Sequence, residues 1–458
     1  MSVRERTQTA VQSPLSPAEL PDTAVLLMVG ASDKPGLPAA RRFAVVRDEL
    51  EIGRRPSDEA EARGVALLVP DALVSSQHAR LVRRQPGEFE LVDLGSKNGT
   101  FVDNVRLEDR ARLRNGSLIF LGNHIAVFRM VSALELEAVK ADLLTPLGPV
   151  ATSSPTLAVA CDRLRRLAVA DSEILLLGET GVGKEVYARA VHELSRRRGR
   201  FTAINCGAIP RELVESELFG YRAGAHSTAH QAKAGLLEEA EGGTLFLDEI
   251  GEMTQEAQIK LLRFLQDREL TPLGSTRPRK IDVRIIAATN RTSLSGKTPT
   301  GLRDDIIGRL GAAPLYLPPL RSRIEDLGAL VAHFLRTSAT REIEQPAFRA
   351  LAMHDWPLNV RELEKIVSTA AVLAGGTRPI SLRDLPEPIA RAAVAPAAPA
   401  RRAAGSSPTP AQIEDLLRRY NGNVADVSRE LGKHRAAVWR WMKKWGIGVE
   451  KYKKGETP

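Results

Sequence analysis

The sequence predicts a multidomain chain: an all-β sandwich, then an α/β domain ending in a helical portion, then a small all-α unit. Three observations carry this. Residues 23–131 hold short apolar runs, among them "FAVVRDELEIG" and "NGSLIFLGNHIAVFRMV", separated by the turn sequences "QPGE", "SKNG" and "RNG". From 143 to 388, strand-like runs alternate with helical patterns. Residues 409–448 read as helix, turn, helix, turn, helix, broken at "NGN" and at Gly432.

The remaining segments connect these parts. Residues 1–22 are polar and contain Pro and Ser, and read as a disordered tail. A helical linker over 132–142 begins "SALELEAVKAD", and an Ala/Pro-rich linker fills 389–408. Residues 449–458 form a basic tail.

Composition narrows the class. At 458 residues and 43% hydrophobic, the chain has material for several cores, and 4% aromatics leans those cores toward Leu, Val, Ile and Ala. The formal charge is +9, and residues 409–458 hold eleven Lys/Arg against six Asp/Glu, so most of the excess sits in the last unit. That placement points to nucleic acid. Cys161 and Cys206 make no disulfide framework, and neither has a companion at metal-ligand spacing. With no signal-peptide pattern and no apolar run of ~18 residues, the expectation is a cytoplasmic protein without membrane contact.

"EILLLGETGVGKE" carries the strongest chemical signal. A buried strand runs into Gly178-Glu179-Thr180-Gly181-Val182-Gly183-Lys184 and then a helix. Such a loop turns backbone N–H groups toward phosphates, and Lys184 adds a charge for the β/γ oxygens. Ser or Thr usually follows the lysine to hold Mg2+, but here Glu185 does. "GGTLFLDEI" supplies Asp248 and Glu249 at a strand's C-terminal edge, where ligands bind in open α/β sheets. Asp248 suits the Mg2+ shell, and Glu249 suits orienting or deprotonating an attacking water. Asn290 ends a third strand, placed to sense the γ-phosphate. Arg303 and Arg309 follow in "LRDDIIGRL", where spacing alone favours a solvated helix face.

In order, "GETGVGKE", "INCGAI", "ESELFG", "GGTLFLDEIGEM", "LRDDIIGRL", "LPPLRSR" and "WPLNVRELEK" resemble the AAA+ domain of bacterial enhancer-binding proteins, the NtrC-like activators of sigma-54 RNA polymerase. In that family Glu normally follows the lysine, so Glu185 supports the resemblance. The resemblance implies ATP and Mg2+ as ligands. It makes Asn205 a switch residue restraining Glu249, Asn290 the first sensor and Arg361 the second. Arg303 and Arg309 become fingers donated by a neighbouring subunit, which implies a homo-oligomer, usually a hexameric ring.

Within 23–131, "IGRR", "VSSQHARL" and "GSKNGTF" place Arg54, Ser75, His78 and Asn98 on loops at one end of the sandwich. Arginine, hydroxyl and carboxamide together can grip phosphate and a peptide backbone, while His78 is expected to pack internally. The set resembles a forkhead-associated (FHA) domain. The resemblance implies that Arg54, Ser75 and Asn98 contact a phosphothreonine-containing protein. Ser76 and Lys97 depart from the family pattern, and Lys97 can replace the charge lost at Ser76.

On the last helix, Val438, Met442 and Trp445 fall on a core-facing stripe. Residues 409–448 resemble the Fis-like helix-turn-helix that closes many enhancer-binding proteins. The resemblance implies major-groove entry, with Arg435, Ala436, Arg440, Lys443 and Lys444 on the DNA face at an upstream activator site.

Three functions remain open at this level. One is an ATP-hydrolysing transcription regulator that remodels sigma-54 RNA polymerase under FHA control. Another is a nucleotide-binding, DNA-bound regulator that does not act through sigma-54. A third is a remodelling ATPase for some other partner. The loop that touches sigma-54 in the family reads Gly-Ala-Phe-Thr-Gly-Ala; here it reads Gly224, Ala225, His226, Ser227, Thr228 and Ala229. Its length is kept and its tip is changed, which predicts retained ATPase activity with reduced or absent sigma-54 activation.

Overall fold

A computed structural model describes residues 23–37, 43–225, 231–290, 301–311, 314–392, 410–420, 422–431, 438–439, 441–442 and 445–452. The chain divides into two compact units, 1–396 and 397–458.

Alternating apolar residues build the first part. Its strands are β1 (Thr23–Ala31), β2 (Phe43–Val46), β3 (Glu49–Gly53), β4 (Ala66–Leu68), β5 (Ala79–Gln85), β6 (Glu88–Asp93), β7 (Thr100–Val102), β8 (Val105–Arg106), β9 (Arg110–Leu113), β10 (Leu118–Leu121) and β11 (His124–Val131). They form two sheets, ordered β2-β1-β11-β10-β7-β8 and β4-β3-β5-β6-β9. Leu26, Met28, Ile52, Leu81, Ile119 and Phe128 fill the space between them. The turn sequences fall between β5 and β6, β6 and β7, and β9 and β10, as the sequence predicts. Asp103 and Asn104, at φ 48° and 69°, form the two-residue β7–β8 turn that requires positive φ at both positions.

The central strands β1, β11 and β10 of one sheet have no wet face. Strand β1 is buried at every position after Thr23. Val25, Leu27 and Val29 on β1, with Ile125 and Val127 on β11, share a core with Leu327, Val331 and Phe348 of the later helical portion. A strand with one solvated face would alternate polar and apolar residues; β1 does not.

Ser132 and Glu135 form a reciprocal capping box that starts the helix Ala133–Leu144. The predicted linker is therefore a packed element. Its buried Asp142 accepts the amides of Leu147 (3.3 Å) and Thr152 (2.8 Å) and pairs with Arg165.

The α/β part contains β12 (Ile174–Leu177), β13 (Phe201–Asn205), β14 (Thr244–Asp248), the short β15 (Glu269–Leu270) and β16 (Arg279–Lys280), β17 (Arg284–Thr289) and β18 (Leu315–Tyr316). The main sheet is parallel, in the order β13-β14-β17-β12-β18. All its C-terminal strand ends therefore open on one edge. At the opposite edge the buried Arg284 donates to the carbonyls of Leu167, Ala168 and Ser172, closing the end of helix Pro155–Ala170. The helices Leu327–Phe334, Gln345–Met353 and Asn359–Leu373 follow as the helical portion.

In the second unit, the helices Pro410–Arg419 and Val424–Glu430 bury Ile413, Leu417, Val424 and Val427 against Val438 and Met442, with Trp445 packed at the margin. Among the described residues, no helix is long and apolar enough to cross a membrane.

Candidate functional site

The phosphate-binding loop leaves β12 and turns through Gly181 and Gly183 at φ 81° and 101°, a region that disfavours side chains. Gly181 has a second constraint: a Cβ there would lie 2.1 Å from the Leu358 carbonyl oxygen. Helix Lys184–Leu194 starts directly behind, so its free amides face the loop. Lys184 is 7% exposed, and its Nζ donates to the carbonyls of Gly178 (2.9 Å) and Glu179 (3.2 Å). Burial lowers the pKa of this ammonium, against the opposing pull of the Asp248 and Glu249 carboxylates.

Asp248 ends β14 beside Asn205, which ends β13. Glu249 adopts the left-handed conformation (φ 54°, ψ 41°), and its amide donates to Asp248 Oδ1 at 3.0 Å. Glu249 Oε2 lies so near Gly207 that a Cβ there would approach it to 2.3 Å. Asn205 Oδ1 accepts the amides of Gly207 (2.8 Å) and Ala208 (3.2 Å). Among the described residues, no hydrogen bond joins Asn205 to Glu249. Asn290 follows β17 and donates from Nδ2 to Thr180 Oγ1 at 3.3 Å. The sheet edge thus brings together Lys184, Asp248, Glu249, Asn205 and Asn290.

Other expected residues stand apart or have partners. Arg303 precedes helix Asp304–Leu310 and forks onto Asp305 (2.8 to 3.3 Å), while Arg309 is exposed on that helix. Exposed Arg361 meets the loop through its backbone, its amide donating to the Gly181 carbonyl at 3.3 Å. Glu185 pairs with Arg189 at 3.0 Å on the outside of its helix. Residues His226, Ser227, Thr228 and Ala229 lie outside the described residues, as do Arg435, Ala436, Arg440, Lys443 and Lys444. The base of the 224–229 loop is described. Tyr221 exchanges backbone hydrogen bonds with Lys233 (3.0 and 2.9 Å), and Arg222 donates to the Leu273 carbonyl at 3.0 Å. Gly224 turns at φ 82°, and Ala225 packs beside Gly274.

Sequence reasoning missed the clamp on the phosphate loop. Arg321 forks onto Glu179, buried Arg323 donates to the Val182 carbonyl at 2.8 Å, and buried Asn359 donates to Glu179 Oε2 (3.2 Å) and the Thr180 carbonyl (3.0 Å). These residues lie in "LPPLRSR" and "WPLNVRELEK", where the resemblance assigns a role to Arg361 alone.

The loop, its lysine and the adjacent carboxylate fit a nucleoside triphosphate. Among the described residues, no three His, Cys, Asp or Glu side chains group to hold a metal. A Mg2+ ion would therefore rely on Asp248 and on nucleotide oxygens, the usual habit of this ion.

At the sandwich end, Arg54 donates its amide to the Ser75 carbonyl (2.9 Å) and its Nε to the Val74 carbonyl (3.3 Å). Ser75 Oγ accepts the Lys97 amide at 3.1 Å, and Asn98 Nδ2 donates to the Leu73 carbonyl at 2.8 Å. The three expected contact residues therefore share one loop cluster. Gly53 is required there, since a Cβ would lie 1.9 Å from the Ser76 carbonyl oxygen. His78 is fully buried, and its Nδ1 accepts the Ser75 amide at 3.0 Å, the internal role expected of it. Asp93 was not foreseen. It accepts from the amides of Gly95, Ser96 and Thr100 and from the Ser96 and Thr100 hydroxyls, fixing the turn that presents Lys97 and Asn98.

Residues 150–316 match the Sigma-54 interaction domain, 50–122 the FHA domain and 321–402 the AAA+ ATPase lid domain. The regulatory protein AtoC of Escherichia coli is 37% identical over 319 residues, which cover 66% of this chain and 68% of AtoC. The chain belongs to the NtrC-type sigma-54-dependent regulators. NtrC of Rhizobium meliloti is 42% identical over 273 residues, 58% of this chain and 56% of that protein. The chain spans about half the length of the NtrC relatives it matches. A solved structure of NtrX from Brucella abortus in complex with ATP is 31% identical, with a TM-score of 0.47, over 68% of this chain and 73% of that one. In this family's vocabulary the helical portion after residue 320 is the AAA+ lid, and the sandwich is the FHA domain.

Proposed function

We propose that this regulator hydrolyses ATP at the β12–β14–β17 edge, under control of a phosphothreonine peptide bound by its FHA domain. The convergence of Lys184, Asp248, Glu249 and Asn290 on that edge carries the reading. ATP with Mg2+ brings the electrophilic phosphoryl group. Lys184 holds its β/γ oxygens, Asp248 takes the metal side, and Glu249 orients a water and accepts its proton. Asn205 acts on Glu249 through the Gly207 turn that it holds, Asn290 and Arg361 sense the nucleotide, and Glu179, Thr180, Val182 and Glu185 complete the loop. Arg303 and Arg309 serve a neighbour's site in a ring, so Arg303 must exchange Asp305 for that neighbour's phosphate. Arg54, Ser75 and Asn98 hold the phosphothreonine. The C-terminal unit binds upstream DNA through Arg435, Ala436, Arg440, Lys443 and Lys444. The compartment that fits is the bacterial cytoplasm.

The 224–229 loop favours a second reading for the output. Its base is braced, which supports coupling to the ATPase core, but its tip reads His-Ser-Thr where the family has Phe-Thr-Gly. The regulator then retains ATPase activity while engaging sigma-54 weakly or not at all. Purified protein is assayed for ATP hydrolysis and for sigma-54 open-complex formation, beside the triple variant His226→Phe, Ser227→Thr, Thr228→Gly. Hydrolysis by both with activation only by the triple variant is expected. Full activation by the unaltered protein overturns the second reading, and no hydrolysis by either overturns the first.

A further inference from the structure

The FHA domain and the lid are joined more tightly than a tethered sensor and its target need be. Their backbones touch: a Cβ on Gly328 of the lid would lie 2.2 Å from the Val29 carbonyl oxygen. One charged group from each side crosses the boundary. Arg129 of β11 donates to Glu325 (2.8 Å) and to the Ser322 carbonyl (2.9 Å), and Arg349 lies over the rings of Phe101 and Phe120 at 4.3 and 4.4 Å. The Glu325 side chain is fully buried.

The lid segment Leu320–Asp326 faces both ways. Ser322 and Glu325 hold the FHA domain, while Arg321 and Arg323 hold the phosphate loop at Glu179 and Val182. A second connection starts at the phosphopeptide loops. Asn98 holds the Leu73 carbonyl, the Leu73 amide donates to Asp71 Oδ1 (2.9 Å), and Asp71 Oδ2 accepts the Asn123 amide (2.7 Å). The neighbouring Gly122 carbonyl accepts Gln345 Nε2 of the lid at 2.6 Å. Hydrogen bonds thus link the phosphopeptide loops to Gln345, and within the lid Phe348 of the Gln345 helix shares one apolar core with Leu320 and Ile324 of the segment that clamps the phosphate loop.

We infer that phosphopeptide and nucleotide are thermodynamically coupled through this lid, with Gln345 as a positioning residue that links the β10–β11 turn to it. A ligand that shifts the 71–75 and 95–100 loops shifts the Asp71–Gly122–Gln345 chain, and with it the clamp on Glu179 and Val182. By linkage each ligand changes affinity for the other by the same factor. The inference rests on the proposed phosphothreonine reading of the FHA domain.

The test uses the full chain, a pool of degenerate phosphothreonine peptides, the same pool unphosphorylated, and fluorescent ADP. Direct anisotropy first reports whether the labelled phosphopeptide pool binds. The ADP dissociation constant is then measured with and without saturating pool. A shift of about fivefold or more is expected with the phosphorylated pool alone. Gln345→Ala, which touches neither ligand, is expected to keep each single-ligand affinity within about twofold and to remove most of that shift. A pool that binds without moving ADP affinity overturns the coupling and leaves the phosphopeptide reading standing. An undiminished shift in Gln345→Ala overturns the role of Gln345. A pool that fails to bind overturns the coupling together with the reading beneath it.

Discussion

Arg321 of the lid grips Glu179 of the phosphate loop through two parallel hydrogen bonds, Nη1 to Oε2 at 2.7 Å and Nη2 to Oε1 at 2.5 Å. The guanidinium, with help from Asn359, holds the Glu179 carboxyl below the usual carboxylate range against the opposing effect of burial. Both side chains remain partly exposed, so the pair contributes little to global stability. Arg321→Ala and Glu179→Gln should each cost under ~1 kcal/mol in denaturant unfolding. Both should change nucleotide affinity, and the double variant should fall short of the summed effects because the two groups share one contact. Nucleotide titrations of the four proteins check this.

Lys184 and Glu249 are expected to separate binding from turnover. Lys184→Ala should abolish measurable nucleotide binding. Glu249→Gln should keep binding and lower hydrolysis by about 10²–10⁴-fold, the range attributed to a positioned general base. Fluorescent-nucleotide titration and phosphate release distinguish the two variants.

Asp93 should make the FHA domain acid-sensitive. Burial works against its ionised form, but the Ser96 and Thr100 hydroxyls and the Ser96 and Gly95 amides outweigh it and hold the carboxyl below its ordinary value. A depressed folded pKa gives stability that is present above the unfolded value, near ~4, and lost as pH falls through the folded value. Unfolding midpoints of the native chain should therefore drop below about pH 4. Asp93→Asn should show less of that dependence and start about 1.5–3 kcal/mol less stable, the range for hydrogen bonds to a charged group.

The pair Arg129–Glu325 should behave as a buried ion pair. Burial raises the Glu325 pKa, opposed by the Arg129 charge. Arg129→Leu leaves an unpaired carboxyl in a closed interface and should cost about 3–5 kcal/mol. Arg129→Leu with Glu325→Leu should recover most of that loss. Chemical denaturation of the single and double variants decides the point.

The legible parts of the sequence were those whose chemistry is local. A strand, a glycine loop and a lysine form one contiguous device, and "GGTLFLDEI" places two carboxylates by strand length alone. The FHA loops were legible through turn residues and through Arg54, Ser75 and Asn98. Contacts between distant segments were not. Nothing near Glu179 announces that Arg321 will hold it, because 142 residues separate them. The five hydrogen bonds of Asp93 join residues whose turn conformation the sequence alone does not define. The FHA–lid union did leave a trace. "TAVLLMVGA" lacks the polar alternation of a half-exposed strand, as expected for one covered on both sides.

That doubly covered strand bears on how such regulators exchange parts. A sensor joined only by a tether can be traded between proteins without altering its host. Here Gly328 meets Val29 with room for no side chain, and the lid face opposite β1 and β11 is apolar. An ATPase trimmed of residues before 132 would expose that face to water and tend to self-associate. Grafting a foreign sensor would require recutting the lid to its shape.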